Sequence, residues 1–121
     1  MALDKYILDD HGEPVIEPDL LKWAMWLEAA GEKRRVGLDY LTLATAAATV
    51  TVTISTVFLG LDYDLTRRGT GPAFAPILYE TLVRGGRHDG YMRRYRTRDE
   101  ALEGHKSIVA MIQHKETTDV R

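Results

Sequence analysis

Apolar and polar residues alternate along the middle of the chain, over residues 48–60 (ATVTVTISTVFLG). The even positions of this segment are apolar apart from one threonine: Val50, Val52, Ile54, Thr56 and Phe58. The odd positions begin with a row of hydroxyls: Thr49, Thr51, Thr53 and Ser55. A period of two with β-branched residues predicts a strand with one buried face and one solvent-facing hydroxyl face. We expect this strand to be the central one of a small sheet.

The uncharged run around this strand has almost the length of a membrane span. Residues 43–60 carry no charge and approach the length of a transmembrane helix. They contain five threonines and one serine in alternation, a pattern typical of strands and not of lipid-facing helices. The segment therefore indicates a strand.

Upstream of the central strand, the pattern predicts a hairpin, a helix and a second strand. Residues 6–8 and 15–16 flank the turn sequence DDHGEP. Apolar residues recur at helical spacing over residues 19–30, and an aspartate and a glycine suit the two ends of that helix. Residues 34–43 alternate again and predict a strand.

Downstream of the central strand, the pattern predicts a long loop and two further strands. Residues 61–76 are rich in glycine and proline, which favours a surface loop, and long ordered loops tend to be functional. Residues 77–84 and 91–96 predict strands. They are joined by a hairpin loop over residues 85–90 that ends in an Asp-Gly turn.

A second helix is predicted to begin after Thr97. Thr97 and Glu100 form a capping box, and apolar residues recur at helical spacing as far as about residue 114. His105 falls on this apolar stripe. We expect its ring to hydrogen-bond to backbone or to a strand side chain at the edge of the core.

Together these elements predict an α+β fold of one domain over residues 1–121. Two amphipathic helices would cover one face of a two-layer, antiparallel meander sheet of three to five strands. We expect the core beneath four side chains: Leu20, Trp23, Leu102 and Ile108. Trp26 is expected to reach the surface. The termini, residues 1–5 and 115–121, are expected to be mobile.

The amino-acid composition excludes several classes of protein and of chemistry. With 45% hydrophobic and 28% charged residues, the chain is expected to fold and to be soluble. The absence of cysteine excludes disulfides, thiolate chemistry and cysteine metal sites. The N-terminus has no basic segment followed by an apolar one, so we expect no secretory signal and a cytoplasmic location. No cofactor is expected.

Charge is unevenly distributed along the chain. The net charge of −2 combines −6 over residues 1–32, +6 over residues 33–98 and −2 over residues 99–121. Two explanations stay open. The acidic and basic segments attract each other within the fold, or they form two faces of opposite sign that steer charged partners.

Six arginines fall within fifteen residues, with two tyrosines among them: Arg84, Arg87, Arg93, Arg94, Arg96 and Arg98, with Tyr91 and Tyr95. Arginine beside aromatic residues can bind phosphates and stack bases. Alternation sends Arg93 and Arg94 to opposite faces of a strand, so one flat platform cannot use all six. The alternatives are a nucleic acid, nucleotide or other anion as ligand, and pairing with acids of the same chain such as Glu80.

Acidic residues at the start of the long loop are a further candidate site. Asp62 and Asp64 have the spacing to hold a divalent cation with Glu80 or His88, or to bond to local backbone N–H groups. No catalytic constellation and no metal-ligand set is predicted. The predicted binding residues are Asp62, Tyr63, Asp64, Glu80, Arg84, Arg87, His88, Arg93 and Arg94.

Three blocks of the chain resemble one family. They are residues 55–62 (STVFLGLD), 77–86 (ILYETLVRGG) and 95–105 (YRTRDEALEGH). They resemble small, mostly uncharacterised phage and prophage proteins in which STVFLGLDH, ILFETMVFGG and YSTWEEAEAGH-like blocks follow one another. Tyr63 stands in place of that family's histidine and Arg84 in place of an apolar aromatic residue. The resemblance implies a phage context and no particular reaction.

We therefore expect a non-enzymatic phage-type accessory protein that binds a host macromolecule, for example as an anti-defence inhibitor. Its contacts would come from the 61–76 and 85–90 loops. The alternative is a small nucleotide- or nucleic-acid-binding protein, or a metal-dependent enzyme, that uses the same loops. A host or phage protein is the expected partner, with nucleic acid and a homo-oligomer as alternatives. The threonine row is a surface that a partner protein, or the same strand of a second subunit, would cover.

Overall fold

A computed structural model describes residues 3–65, 69 and 71–119 of the chain, with residues 72 and 115–119 described by their backbone only. Within this part there are six strands and two α-helices. In chain order they are β1 (Tyr6–Leu8), β2 (Pro14–Ile16), α1 (Leu20–Ala30), β3 (Arg35–Ala44), β4 (Thr49–Phe58), β5 (Tyr79–Arg84), β6 (Met92–Tyr95) and α2 (Arg98–Asp119).

The main sheet is an antiparallel meander in the order β3-β4-β5-β6, and β1 pairs with β2 in a separate hairpin. The α+β class, the antiparallel sheet and the central position of β4 are therefore confirmed. In the middle of the sheet, Ile54 of β4 lies between Asp39 of β3 and Val83 of β5. A tight turn links β3 to β4, where the hydroxyl of Thr45 accepts a hydrogen bond of 2.9 Å from the N–H of Ala48.

Helix α2 covers the even face of β4, as the alternation predicts. One cluster joins the sheet to the helix and consists of Val52, Ile54, Val83, Ile108 and Ile112. A second cluster fills the end of the sheet where β4 ends and β5 begins, and it consists of Phe58, Leu78, Tyr79, Tyr95 and Ala101. The odd face of β4 remains the solvent side, which is also as predicted.

The start of α2 confirms the predicted capping box. The Thr97 hydroxyl accepts from the N–H of Glu100 at 3.1 Å, and the Glu100 carboxylate accepts from the N–H of Thr97 at 3.1 Å. These two bonds satisfy N–H groups that no helical carbonyl reaches. The helix backbone continues to Asp119, beyond the predicted end at residue 114.

Helix α1 begins as predicted, with the Asp19 carboxylate accepting from the N–H of Lys22 at 2.9 Å, but it does not lie over the sheet. Leu20 is 66% exposed, so its predicted place above the core is wrong. Because α2 occupies the even face, α1 reaches only the end of β4. There Trp23 donates to the Gly60 carbonyl at 2.9 Å, and Trp26 packs edge-on against Phe58 instead of reaching out as an interface anchor.

The N-terminal segment is attached to the same end of the sheet. The N–H of Tyr6 donates to the Gly60 carbonyl at 2.8 Å, and the N–H of Asp62 donates to the Asp4 carbonyl at 3.0 Å. Asp4 therefore has a fixed contact although it falls in the predicted mobile terminus. In the part of the chain that the structure describes, no helix is both long and apolar enough to cross a membrane.

Candidate functional site

Three of the nine predicted binding residues meet on the solvent side of the sheet. The Arg94 guanidinium lies over the Tyr63 ring, 4.4 Å from its centroid, and donates to the Glu80 carboxylate at 3.0 Å. Arg94 and Glu80 are cross-strand neighbours on β6 and β5. This contact confirms that arginines of the cluster pair with acids of the same chain.

The two loop aspartates fold the loop back onto the sheet. Asp62 is buried, and its carboxylate accepts hydrogen bonds from the N–H groups of Asp64 at 2.9 Å and Ile77 at 3.0 Å. Asp64 pairs with Arg96 at 2.8 Å. Among the described residues, no group of three or more His, Asp or Glu side chains could hold a metal ion. Both carboxylates therefore serve the local structure of the loop.

The other predicted residues lie elsewhere. Arg84, Arg87 and His88 belong to the hairpin at the far end of β5, about 13 Å from Glu80 at 3.3 Å per residue. Arg93 lies on the opposite face of β6 from Arg94 and donates to the Tyr91 hydroxyl at 3.0 Å. The nine residues therefore do not converge on one site. Residues 66–68 and 70 of the predicted loop lie outside the described residues.

A continuous chain of polar side chains, buried except at Asp39, joins α2 to all four strands of the main sheet. His105 Nε2 lies 2.7 Å from an Asp39 carboxylate oxygen, and its Nδ1 lies 2.7 Å from the Thr56 hydroxyl. The Thr56 hydroxyl lies 2.5 Å from that of Thr81, which lies 3.0 Å from the Tyr95 hydroxyl. The predicted bond between His105 and a strand side chain is confirmed. We call these five residues the His105 network.

The His105 network is structural. Its Asp–His–Thr order resembles that of a hydrolytic triad, but the Thr56 hydroxyl is completely buried between β4 and α2, where no substrate reaches it. From His105 to Tyr95, each member instead satisfies the hydrogen-bonding capacity of a buried neighbour, and Asp39 ends the network at the surface. The sequence carries a signal for it, namely the threonine that interrupts the apolar face of β4.

A basic cleft opens at the end of the sheet next to the N-terminus of α2. It has a volume of about 550 Å³. Its apolar floor is formed by Leu8, Val36, Phe58 and Tyr79. Its polar rim is formed by His11, Glu13, Lys33, Arg34, Arg35, Thr97, Arg98 and Asp99. The rim thus brings together the β1–β2 turn, the segment between α1 and β3, and the first turn of α2.

Tyr79 lines this cleft and connects it to the core. Its side chain is only 2% exposed, and it packs edge-on against Phe58 with ring centroids 5.5 Å apart. No described residue hydrogen-bonds to its hydroxyl, and no fully buried side-chain oxygen in the described part of the chain lacks a partner, so this hydroxyl reaches the surface of the cleft. Since Tyr79 lines the cleft, this hydroxyl is available to a molecule bound there.

Four cationic side chains line the same cleft as Tyr79: Lys33, Arg34, Arg35 and Arg98. Arg34 is held in place because its Nε donates to the Phe58 carbonyl at 3.1 Å, and Arg35 pairs loosely with Glu32 at 3.4 Å. No described residue forms an ion pair with Lys33 or Arg98. The N-terminus of α2 adds positive potential on the same side. Glu13 and Asp99 are the acids of the rim, so cations exceed anions there.

Sequence reasoning missed this cleft because its cations come from distant segments. Lys33, Arg34 and Arg35 follow a helix and resemble an ordinary basic helix end. In the sequence, Arg98 belongs to the cluster of six arginines between residues 84 and 98, most of which lie elsewhere. The tertiary structure alone brings these four charges into one cleft.

Comparisons with protein-family models, curated proteins and solved structures found no match to this chain. The protein is therefore described by its fold and its cleft. It is a small α+β protein with a basic cleft, lined by aromatic residues, at one end of an antiparallel sheet.

Tyr79 should make the stability of the protein sensitive to alkaline pH. Burial raises the pKa of Tyr79 above its ordinary value of 10.0, with Arg98 opposing the shift and Glu13 adding to it. Above about pH 10 the unfolded chain loses the phenol proton and the folded chain keeps it, so this contribution to stability falls as pH rises. In Tyr79→Phe, we expect the free energy of unfolding, measured by urea titration, to decline less steeply over this range. Equal slopes would contradict the prediction.

Proposed function

We propose that this protein binds a phosphorylated small molecule in the basic cleft and acts by holding it, without catalysing a reaction. The observation that carries this proposal is the Tyr79 hydroxyl, which is accessible from the cleft and has no hydrogen-bond partner among the described residues. A phenol with its ordinary pKa of 10.0 is protonated at neutral pH, and burial raises the pKa of Tyr79 further. It is therefore a hydrogen-bond donor at neutral pH, which suits an anionic oxygen.

The positive charge of the cleft supports an anion as the ligand. Lys33 and Arg98 are exposed cations without an ion pair among the described residues, and Arg34 is already oriented by its bond to Phe58. Arginine forms paired hydrogen bonds with phosphate oxygens, and the N-terminus of α2 adds its dipole. These features favour phosphate over a neutral polar group.

The size and floor of the cleft support a ligand larger than free phosphate. A volume of about 550 Å³ falls among those of small-molecule sites, which span about 300–1,000 Å³. Leu8 and Val36, which are only partly buried, present apolar surface below the cationic rim. A molecule with one apolar or aromatic part and one or more phosphates, such as a nucleotide, matches both features.

A second candidate function is the binding of a partner protein. It is supported by a run of exposed apolar side chains on β2 and α1, namely Val15, Ile16, Leu20, Leu21 and Met25. Such residues are common in protein interfaces. The resemblance to phage proteins supports an accessory role of either kind, such as an anti-defence inhibitor that captures a host molecule.

Thermal-shift and calorimetric titrations test the proposal. The panel is nucleoside mono-, di- and triphosphates, pyrophosphate, inorganic phosphate and the matching nucleosides. We expect at least one phosphorylated compound to bind, and at a hundredfold excess over its Kd to stabilise the protein by about 2.7 kcal/mol. Nucleosides without phosphate should bind much more weakly. No response to any phosphorylated compound would overturn the proposal.

Three substitutions locate the binding in the cleft. Tyr79→Phe removes only the hydroxyl, and we expect it to weaken binding by roughly 10- to 100-fold, as for a lost hydrogen bond to a charged group. Its stability at neutral pH should stay within about 0.5 kcal/mol of wild type, because that hydroxyl has no protein partner. Arg98→Gln should also weaken binding. Lys106→Gln, on the exposed side of α2, is the charge-matched control and should leave binding unchanged.

A further inference from the structure

Strand β3 is an edge of the main sheet, and its ten residues make it as long as the central strand. One side of β3 pairs with β4 along nearly its whole length. Helix α2 packs on its face and leaves its outer edge open. Long uncovered edges offer rows of unpaired N–H and C=O groups to another strand, and natural proteins usually interrupt or cover them.

The hydrogen-bond pattern shows which residues face outwards from this edge. The N–H of Val83 donates to the Tyr91 carbonyl at 2.9 Å, so the polar backbone groups of Val83 point towards β6. Ile54 of β4 lies opposite Val83, so these two residues form a non-hydrogen-bonded pair. The backbone groups of Ile54 therefore point the other way, towards β3, where they bond to Asp39. Asp39 therefore faces β4.

Alternation along β3 extends this result to the whole strand. The odd residues from Asp39 onwards bond to β4. The even residues direct their N–H and C=O groups to the open edge, and they are Leu38, Tyr40, Thr42 and Ala44. No hydrogen bond in the described part of the chain reaches these outward groups. Each of the four residues thus offers one donor and one acceptor.

The solvent-side surface next to this edge carries no charge. Tyr40 is 66% exposed, and it lies beside Thr53 of β4. The neighbouring positions are occupied by small and hydroxyl side chains: Thr42, Ala44, Thr49, Thr51 and Ser55. Charged side chains, lysine above all, are the usual means by which an edge strand is protected from pairing. They are absent from the solvent side of β3 between Leu38 and Ala44.

We propose that this edge binds a second copy of the chain, with the two β3 strands antiparallel about a twofold axis near Leu41. In this register Tyr40 lies opposite Thr42 of the second copy, and Leu38 lies opposite Ala44 of the second copy. All the outward N–H and C=O groups of both strands then bond to one another. The two four-stranded sheets become one continuous sheet.

The chemistry of the strand favours a second copy over an unrelated segment. Asp39 is the one charged residue between Leu38 and Ala44, and the twofold register places it opposite Leu43 of the second copy instead of another acid. The interface is isologous, so it closes after two chains and does not continue into a filament. The basic cleft lies at the other end of the strand, so this proposal is independent of the proposed ligand.

Light scattering coupled to size-exclusion chromatography tests the proposal on the full chain. We expect the wild type to have twice the monomer mass. Thr42→Pro removes one outward N–H without breaking a bond to β4, and proline is tolerated on such edges; we expect it to give a monomer. Thr42→Ala keeps the N–H and should remain a dimer. A monomeric wild type would overturn the proposal, even if the edge were then found to bind a different protein.

Amide hydrogen exchange provides a readout that does not depend on the variant's folding. In the dimer, the amides of Tyr40 and Thr42 should exchange as slowly as those of Leu41 and Leu43. In a monomer the even amides would face water and exchange much faster than the odd ones. A dimer in which only the odd amides are protected would show that the copies associate through another surface, and would also overturn the proposal.

Discussion

Replacing Thr56 with valine is expected to lower the free energy of unfolding by about 2–3 kcal/mol, although the two side chains have almost the same shape. Valine deprives His105 and Thr81 of a buried hydrogen-bond partner at once. Each group that loses its partner in a site without water costs about 1–3 kcal/mol. Urea unfolding at neutral pH measures the loss, and the m-value should not change.

Two further substitutions distinguish the loss of the Thr56 hydroxyl from the general effect of changing a threonine in β4. Thr53→Val makes the same chemical change on the solvent side of β4, and we expect it to alter stability by less than about 0.5 kcal/mol. Thr56→Ser keeps the hydroxyl and removes one methyl group, so it should cost only about 1 kcal/mol. If Thr56→Val were as stable as Thr53→Val, the His105 network would contribute nothing to stability.

Replacing Gly104 with alanine is expected to destabilise the protein by about 1–3 kcal/mol, opposite in sign to the usual effect in a helix. Alanine in place of an interior helical glycine normally adds about 1 kcal/mol of stability. Here the new Cβ would overlap the ring and hydroxyl of Tyr95, which pack directly against the helix. The ring would be forced away from Thr81, its partner in the His105 network.

The helix provides its own control for this prediction. Ser107 lies on the exposed side of α2, where an alanine meets no neighbour. Ser107→Ala should leave the melting temperature unchanged or raise it slightly, because alanine has the higher helix propensity. A rise in melting temperature for Gly104→Ala as well would show that Tyr95 moves aside at little cost, and would contradict the prediction.

The two sides of β4 show why the fold could be predicted from the sequence. Alternation of apolar and hydroxyl residues is a local property of the chain, and it determined which face would be buried. The capping box of Thr97 and Glu100 is equally local, and it determined where α2 begins. Both were predicted correctly because each depends on residues only a few positions apart.

Helix α1 shows where local pattern is insufficient. Its apolar stripe predicted that Leu20 would lie over the sheet, but Leu20 is exposed and another helix covers the even face. Helix α2 occupies it, so α1 is left at the end of β4 with its two tryptophans as contacts. Competition between two helices for one face cannot be read from either helix alone.

The predicted site illustrates the same limit. One alternative from the sequence was a cation site of Asp62 and Asp64 with Glu80 or His88, but spacing along a chain carries no information about distance across a sheet. The structure assigns Asp62 to its own loop and separates Glu80 from His88 by the length of β5.

The sequence by itself determined the strands, the helices, the buried face of the central strand and the position of His105 on an apolar stripe. These follow from periodicity and capping, which act over a few residues. The tertiary structure alone decided which side chains meet. It joined His105 to Asp39 and Thr56, and it brought Lys33, Arg34 and Arg98 into one cleft with Tyr79. Such meetings depend on strand register and helix placement, which are set by the packing of the whole chain and not by any one segment.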